Sequence, residues 1–392
     1  MFTVADLFQM KILKSADILT GKSGFERPVR NVGMLDYEYI SGEIYDGFLP
    51  DDLVLSSFLS IKERPDLVVD AIRALADMGV SCAGIRKIYM DELPGDVISY
   101  AVSKNFCIFL FDEEVSFSEI IIQVFDNLKY DREGRPEEGL MEKLAERGGS
   151  PEEARALSLE IRPDFYEAGA VIYLQRDRRF LREDINQLQQ LLPQDEKEVK
   201  GLVCRFRRGA AMLLTFSGRQ GETGRKAEGE VMRETAEKCV SQLPGARVGA
   251  SSLSKNLGGL GMALLEAVYA CQFGKGEGKQ PVFFQELGPY RLLMPLADSP
   301  WTVRYREAVL GPLFKGLSGD QKRNAILWET LDAYVSCGRD MTKTAERLNQ
   351  HKNTVRYRIR QICGRLGLDM DSESDWVQLC LSSYLYKIQG PR

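Results

Sequence analysis

The chain has 392 residues, 44% hydrophobic and 28% charged, with a formal net charge of −5. That length calls for two to four domains, and an acidic total excludes a protein that coats nucleic acid over its whole surface. A single histidine and eight cysteines, none closer than Cys363 and Cys380, exclude a histidine-rich metal centre and a CxxC zinc framework. No apolar run reaches the ~18 residues a membrane helix needs. The opening MFTVADLF has no basic stretch before an apolar one, so no secretory signal is expected. A cytoplasmic protein with reduced core thiols follows, and neither a cofactor nor a metal is expected.

Residues 1–130 alternate between helical and strand signals. Thr3 and Asp6 are placed to cap a first helix running to about Leu13. Three short apolar runs follow: DLVLSSF (52–58), SCAGIR (81–86) and FCIFLF (106–111). Amphipathic stretches opening at Pro65 and Pro94 separate them. Strand and helix repeating at about 25 residues predict right-handed crossovers and a parallel sheet. Ligands gather at the carboxyl ends of such strands, which makes Ser56, Ser57, Arg86 and Asp112 the candidate effector-binding residues.

Residues 131–165 read as a charged helical linker. Gly148-Gly149 breaks one helix, and Ser150-Pro151-Glu152-Glu153 has the form of a capping box that starts another.

Residues 166–295 predict a second α/β unit. Its elements are a strand at 170–174, a helix at 180–192, and strands at 201–206 and 210–216 flanking the hairpin Arg207-Arg208-Gly209. A helix at 227–243, a strand at 246–250, a helix at 258–273 and a strand at 281–285 complete it. The order βαββαβ with an extra pair of elements is that of a ferredoxin-like or cyclase-palm domain. A diguanylate cyclase would place acidic residues in the hairpin to hold magnesium and nucleotide. Phe206-Arg207-Arg208-Gly209-Ala210 has none, so the palm reads as catalytically degenerate.

From residue 296 the chain is helical, with helices at 320–337 and 374–388 around a helix-turn-helix at 341–366. From Met341 to Arg365 there are seven Lys or Arg (343, 347, 352, 356, 358, 360, 365) against the single acid Glu346. Ala345 is the small residue where two helices cross. Asn349 tolerates the left-handed turn, and Leu348, Val355 and Ile359 lock the pair. Val355, Ile359, Ile362 and Leu366 recur at helical spacing and define the buried face of the second helix. Opposite them lie Asn353, Tyr357 and Arg360, with Arg356 and Arg358 on the flanks. Asn353 can read an adenine, and Arg356 or Arg360 a guanine, in the major groove. Lys343, Arg347, Lys352 and Arg358 are placed for phosphates. His351 and Thr354, at the start of the second helix, complete the DNA-binding set, and double-stranded DNA is the expected partner.

These residues carry a resemblance. The core L-x-x-T-L-x-x-Y at Leu327–Tyr334, T-A-x-x-L at Thr344–Leu348 and H-x-N-T-V-R-Y-R-I at His351–Ile359 resembles the C-terminal domain of the PucR family of bacterial regulators. TVADLF, ILTGKSGFERPVRNVGMLD and LPDDLVLSS resemble that family's purine-catabolism-regulator-like N-terminal domain. VGASS (248–252), LLEAVYAC (264–271) and ELGPYRLL (286–293) resemble its GGDEF-like middle domain. The resemblance implies metabolite-responsive control of catabolic genes, often for purine or carbohydrate-diacid use, together with self-association.

Two signals do not hold up. Ala16–Ser23 fits a loose phosphate-binding loop, but it lacks the preceding buried strand, and Gly24 and Pro28 oppose a following helix. Gly258-Gly259-Leu260-Gly261 is explained by a helix-entry turn. The expected fold is therefore multidomain: an N-terminal α/β domain (1–130), a helical linker (131–165), a degenerate cyclase-like α/β domain (166–295) and an all-α DNA-binding domain (296–392). The expected function is a small-molecule-responsive regulator, a dimer or larger homo-oligomer, and not an enzyme. The alternative is a metabolite-processing enzyme with an ancillary DNA-binding domain.

Overall fold

The computed structural model describes all residues except 36–46, 91, 134–135, 148–149, 196, 219–221, 275–279, 315–320, 370 and 390–392. The expected helix break at Gly148-Gly149 lies outside the described residues. The chain divides into two compact units, Met1–Val248 with Leu253–Leu264, and Gly249–Ser252 with Leu265–Arg392.

The first unit opens with α1 (Val4–Leu7), capped as expected: Thr3 donates its N–H and hydroxyl to the Asp6 carboxylate at 2.9 and 3.1 Å. The helix is one turn long, not ten residues. Phe8 ends it, and a 3₁₀ turn at Lys11–Leu13 carries Met10 and Leu13 into the core. Then come β1 (Asp17–Ile18), β2 (Asn31–Met34), β3 (Asp52–Ser56), α2 (Pro65–Asp77), β4 (Cys82–Arg86), α3 (Gly95–Ser103) and β5 (Cys107–Phe111). They form a sheet ordered β1-β5-β4-β3-β2, parallel except for the antiparallel edge strand β1. The segment considered as a phosphate loop is β1 followed by turns.

Alternation divides the sheet's apolar side chains between two cores, as a doubly covered sheet requires. Val54, Ala83, Ile85, Ile108 and Leu110 pack with α2 and α3. Leu53, Leu55, Cys82, Phe109 and Phe111 pack with α1 and with α4 (Phe117–Glu133) through Ile120, Val124 and Leu128. Gly84 sits where a Cβ would lie 2.6 Å from the Phe109 ring, so no other residue fits there without displacing that ring.

Next are α5 (Pro136–Arg147) and α6 (Pro151–Ile161). Pro151 opens α6 as expected, but Ser150 makes no side-chain cap. Its carbonyl accepts Ala154 N–H at 2.9 Å, so the backbone alone closes that turn. After them come β6 (Ala168–Gln175), α7 (Arg182–Gln190), β7 (Val199–Phe206), β8 (Gly209–Phe216), α8 (Glu222–Gln242), β9 (Arg247–Ala250), α9 (Leu260–Phe273) and β10 (Val282–Phe283). The second sheet has the order β10-β9-β6-β8-β7. Gly209 is the first residue of β8, paired with Phe206, so the hairpin turn is Arg207-Arg208 alone, with Arg207 at φ +52°. β10 is shorter than expected because Phe284–Leu287 winds into a 3₁₀ turn.

Inside the first unit a polar cluster ties α4 to β7. Asp131, half-buried on α4, receives Arg205 at 2.8 Å and also Arg179. Arg205 reaches Glu138 on α5 at 3.3 Å and lies 3.9 Å from the Tyr130 ring centroid. Although burial opposes it, the Arg205 and Arg179 guanidinium groups hold the Asp131 carboxyl below its usual range.

The second unit continues through α10 (Tyr290–Leu293), α11 (Pro300–Phe314), α12 (Gln321–Ser336), α13 (Met341–Arg347), α14 (Lys352–Leu366) and α15 (Glu373–Gln389). Its helical core joins Leu310, Leu313, Leu327, Leu331, Tyr334, Val355, Ile359, Ile362 and Leu379.

Candidate nucleic-acid interface

Local chemistry fixes both ends of the two-helix element. Gly338 and Arg339, at φ +60° and +68°, turn the chain out of α12. Asp340 then caps α13, accepting the N–H groups of Thr342 and Lys343 at 2.8 and 3.1 Å. Thr344, buried, returns its hydroxyl to the Asp340 carbonyl at 2.6 Å. Ala345 is buried at the crossing, and its carbonyl accepts Gln350 N–H at 2.9 Å. Asn349 takes φ +49°, the left-handed turn expected of it. His351 caps α14 by accepting Asn353 N–H on Nδ1 at 3.2 Å, and Gly367 at φ +66° ends that helix.

Helix α14 buries Val355, Ile359 and Ile362 and half-buries Leu366, the face expected from the spacing. That orientation exposes Lys352, Asn353, Arg356, Tyr357 and Arg360, while α13 exposes Lys343 and Arg347. Asn353, Arg356, Tyr357 and Arg360 stand at i, i+3, i+4 and i+7, one stripe of a helix. Tyr357 is 67% exposed, unusual for an aromatic ring with no partner to cover it. Thr354 is half-buried beside this stripe. Lys352 Nζ donates to Thr342 Oγ1 at 3.0 Å and links the starts of the two helices.

Arg358 differs from the others. It is half-buried and donates to Thr330 Oγ1 on α12 at 3.4 Å, so it braces the fold instead of joining the exposed stripe. Arg365 acts similarly, reaching Asn324 Oδ1 at 2.9 Å and the Leu313 carbonyl at 3.3 Å. Sequence reasoning missed Asp340 as the first cap, although Arg-Asp-Met-Thr-Lys-Thr carries the acid one residue before the helix. It also missed the capping role of His351.

Lys343 and Thr342 N–H groups, with burial opposing them only weakly, hold the Asp340 carboxyl below the usual carboxylate range. A depressed folded value means the cap's stabilisation is full above the ordinary carboxylate value and is lost as pH falls through the folded one. Asp340→Ala is therefore expected to lower the urea midpoint of the helical domain at neutral pH. The gap to wild type should shrink steadily in an acid series; a constant gap would detach the effect from the charge of Asp340.

The candidate effector residues stand at the ends of the neighbouring strands β3, β4 and β5, with polar groups engaged inside the fold. Ser56 is buried and donates to the Leu35 carbonyl while accepting Phe58 N–H at 2.9 Å, so its hydroxyl is spent inside the fold. Ser57 is buried beside it. Arg86 donates to the Glu113 carbonyl and lies 5.7 Å from the Phe117 ring centroid. Asp112 accepts Ser15 Oγ at 3.2 Å and lies 3.7 Å from Lys87 Nζ.

Comparison with known proteins agrees at both ends of the chain. The Purine catabolism regulatory protein-like family matches residues 6–128, and the PucR C-terminal helix-turn-helix domain matches residues 327–384. The Purine catabolism regulatory protein of Bacillus subtilis (strain 168) is 27% identical over 119 residues, covering 30% of this chain and 22% of that protein. The Proline-responsive transcriptional activator PutR of the same organism is 28% identical over 123 residues, covering 31% of this chain and 29% of that protein. The chain thus spans less than a third of the length of either relative. A crystal structure of a Regulator of Polyketide Synthase Expression from Bifidobacterium adolescentis aligns with a TM-score of 0.33 at 18% identity, covering 65% of this chain and 98% of the other.

Proposed function

From the two PucR-type domain matches near the ends of the chain, we propose a PucR-family, sequence-specific DNA-binding transcription regulator of catabolic genes that responds to a small molecule. One observation carries the reading: two capped helices meet at a left-handed Asn349 turn and present Asn353, Arg356, Tyr357 and Arg360 outward. A recognition helix requires that arrangement, with base-reading side chains on the exposed side of its first half. Lys343, Arg347 and Lys352 take phosphates, and His351 and Thr354 adjoin them at the helix start.

The N-terminal α/β domain (1–130) is the effector-sensing part, followed by the helical linker (131–165). The middle domain (166–295) is a degenerate cyclase-like, GGDEF-like palm: its first four strands take the order β9-β6-β8-β7, and its hairpin turn carries two arginines and no carboxylate. The remaining residues (296–392) are the DNA-binding domain. Nothing in this reading requires turnover. One relative is named for purine catabolism and another for its response to proline, so the effector is a purine-related or similar catabolite. No described helix is long and apolar enough to cross a membrane, which suits a regulator working in the cytoplasm. Two copies would set their recognition helices on half-sites about 34 Å apart, so the working form is a homodimer or larger.

The test is binding of the purified chain to its own upstream DNA, with a scrambled competitor and a salt series. Specific binding that weakens steeply with salt is expected. Equal affinity for both DNAs at every salt concentration, with and without candidate catabolites, would sink the reading.

A further inference from the structure

The second compact unit leaves one large aromatic side chain uncovered outside the DNA-reading stripe. Trp301, in the first turn of α11, is 76% exposed, and among the described residues it touches no other ring. Leu292 and Leu296, one helical turn apart on the stretch before it, are 69% and 46% exposed. Single exposed apolar residues are ordinary, whereas a group of large ones marks an interaction surface. The platform that carries them is fixed. Thr302 Oγ1 lies 2.6, 3.0 and 2.8 Å from the carbonyls of Leu296, Ala297 and Ser299 and ties that stretch to the helix.

The opposite face of α11 is already committed. Leu310 and Leu313 are buried in the core that holds Val355 and Ile359 of α14, and Arg365 of α14 donates to the Leu313 carbonyl at 3.3 Å. Whatever grips α11 therefore also sets where the recognition helix stands.

The open face is complementary to itself. Trp301, Arg304, Ala308 and Gly311 stand at i, i+3, i+7 and i+10, one stripe of a helix. Arg304 is exposed and, among the described residues, has neither a hydrogen bond nor an ion pair; Glu307 is exposed on its flank. A Cβ at Gly311 would meet nothing within 4 Å, so nothing in its surroundings requires a glycine there. Consider a second copy packed antiparallel about a two-fold axis level with Arg306. Each residue then meets the one equally far on the other side of the axis. Trp301 falls on Gly311 of the second copy and Arg304 on Ala308, with the arginine beside the other copy's Glu307. Bulk meets vacancy and cation meets anion, the self-complementarity an isologous interface requires. Tryptophan and arginine are also the residues that anchor interfaces most often.

We propose that this face of α11 is a self-association surface on which a second copy of the chain docks antiparallel, fixing the spacing of the two recognition helices. The proposal rests on the reading of the chain as a dimeric DNA-binding regulator and adds to it the surface that makes the pair.

Sedimentation equilibrium of the full chain, at about 1–100 µM, tests it with the variants Trp301→Ala and Gly311→Leu. Wild type is expected to form dimers, and each variant should raise the dimer dissociation constant about 30-fold. Gly311→Leu is the sharper of the two. Leucine favours a helix over glycine and clashes with nothing in its own chain, so the thermal midpoint of the monomer should hold while pairing weakens. Both variants should bind a single half-site like wild type and a two-half-site operator less tightly.

A wild type that stays monomeric at about 100 µM overturns the surface, as do variants that pair like wild type. Loss of pairing that follows a lowered monomer midpoint in both variants overturns it too, because folding then explains the result. Specific DNA binding by wild type separates the two levels. If it is present while the variants pair normally, only the surface is lost; if it is absent, the regulator reading falls and sedimentation alone decides the surface.

Discussion

Replacing Arg356 and Arg360 together by alanine is expected to lower affinity for the specific operator at least about 30-fold, with much less effect on nonspecific DNA. Each arginine that pairs with a guanine contributes about 1–3 kcal/mol of discrimination, and 1.4 kcal/mol is about tenfold in affinity. Both side chains are exposed on the stripe opposite Val355 and Ile359, so their loss leaves the helix packing intact. Lys343→Ala should behave differently, weakening all DNA alike and lowering the salt slope by about 0.9. Arg358→Ala separates the structural reading from the sequence reading. Because its guanidinium faces Thr330, that change should lower domain stability more than it lowers specificity. Gel-shift titrations on operator and scrambled duplexes at two salt concentrations measure the binding effects, and urea unfolding of the Arg358 variant measures its stability. Unchanged operator affinity in the double variant would remove the exposed stripe from the interface.

Asp184→Ala is expected to destabilise the first compact unit by about 3–5 kcal/mol, the usual cost of removing one partner from a buried ion pair. Asp184 and Arg176 are paired with side chains 11% and 7% exposed. Burial pulls the Arg176 guanidinium below its ordinary range and Asp184 opposes that, so removing the carboxylate strands a desolvated cation. The same carboxylate accepts Leu181 N–H at 2.7 Å and so caps α7. The loop it organises docks onto the N-terminal domain: Arg178 reaches Gln9 at 3.2 Å, Arg179 reaches Asp131, and Leu181 enters the core beside Leu7 and Leu128. Urea unfolding followed by circular dichroism should show the loss. Fluorescence gives the contrast, because Trp301, Trp328 and Trp376 all belong to the second unit and should report a smaller change. A midpoint shift confined to the tryptophan signal would contradict this assignment.

The helix-turn-helix was legible in the sequence because each of its determinants is local. Ala345, Asn349, Val355, Ile359 and Ile362 lie within 18 residues, at the spacings of two helices and one left-handed turn, and they occupy the expected places. The crossover strands β3, β4 and β5 were legible for a similar reason, since fully buried parallel strands read as apolar runs. The edge strands β1 and β2 were not. With two and four residues and no alternation, they are strands only because β5 and β3 supply the partner hydrogen bonds.

The surroundings of the candidate effector residues were hidden on the same ground. That Ser56 lies at the end of β3 could be read from the chain, but that Leu35, 21 residues earlier, claims its hydroxyl could not. Arg205 and Asp131, 74 positions apart, look like ordinary surface charges until β7 and α4 are brought together. The sequence by itself determined the helix-turn-helix and the order of the parts, because periodicity, caps and turn residues act within a few residues of chain. Which polar groups are spent inside the fold and which stay open to a ligand was decided by tertiary structure alone, because a hydrogen bond depends on distance in space and not on separation along the chain.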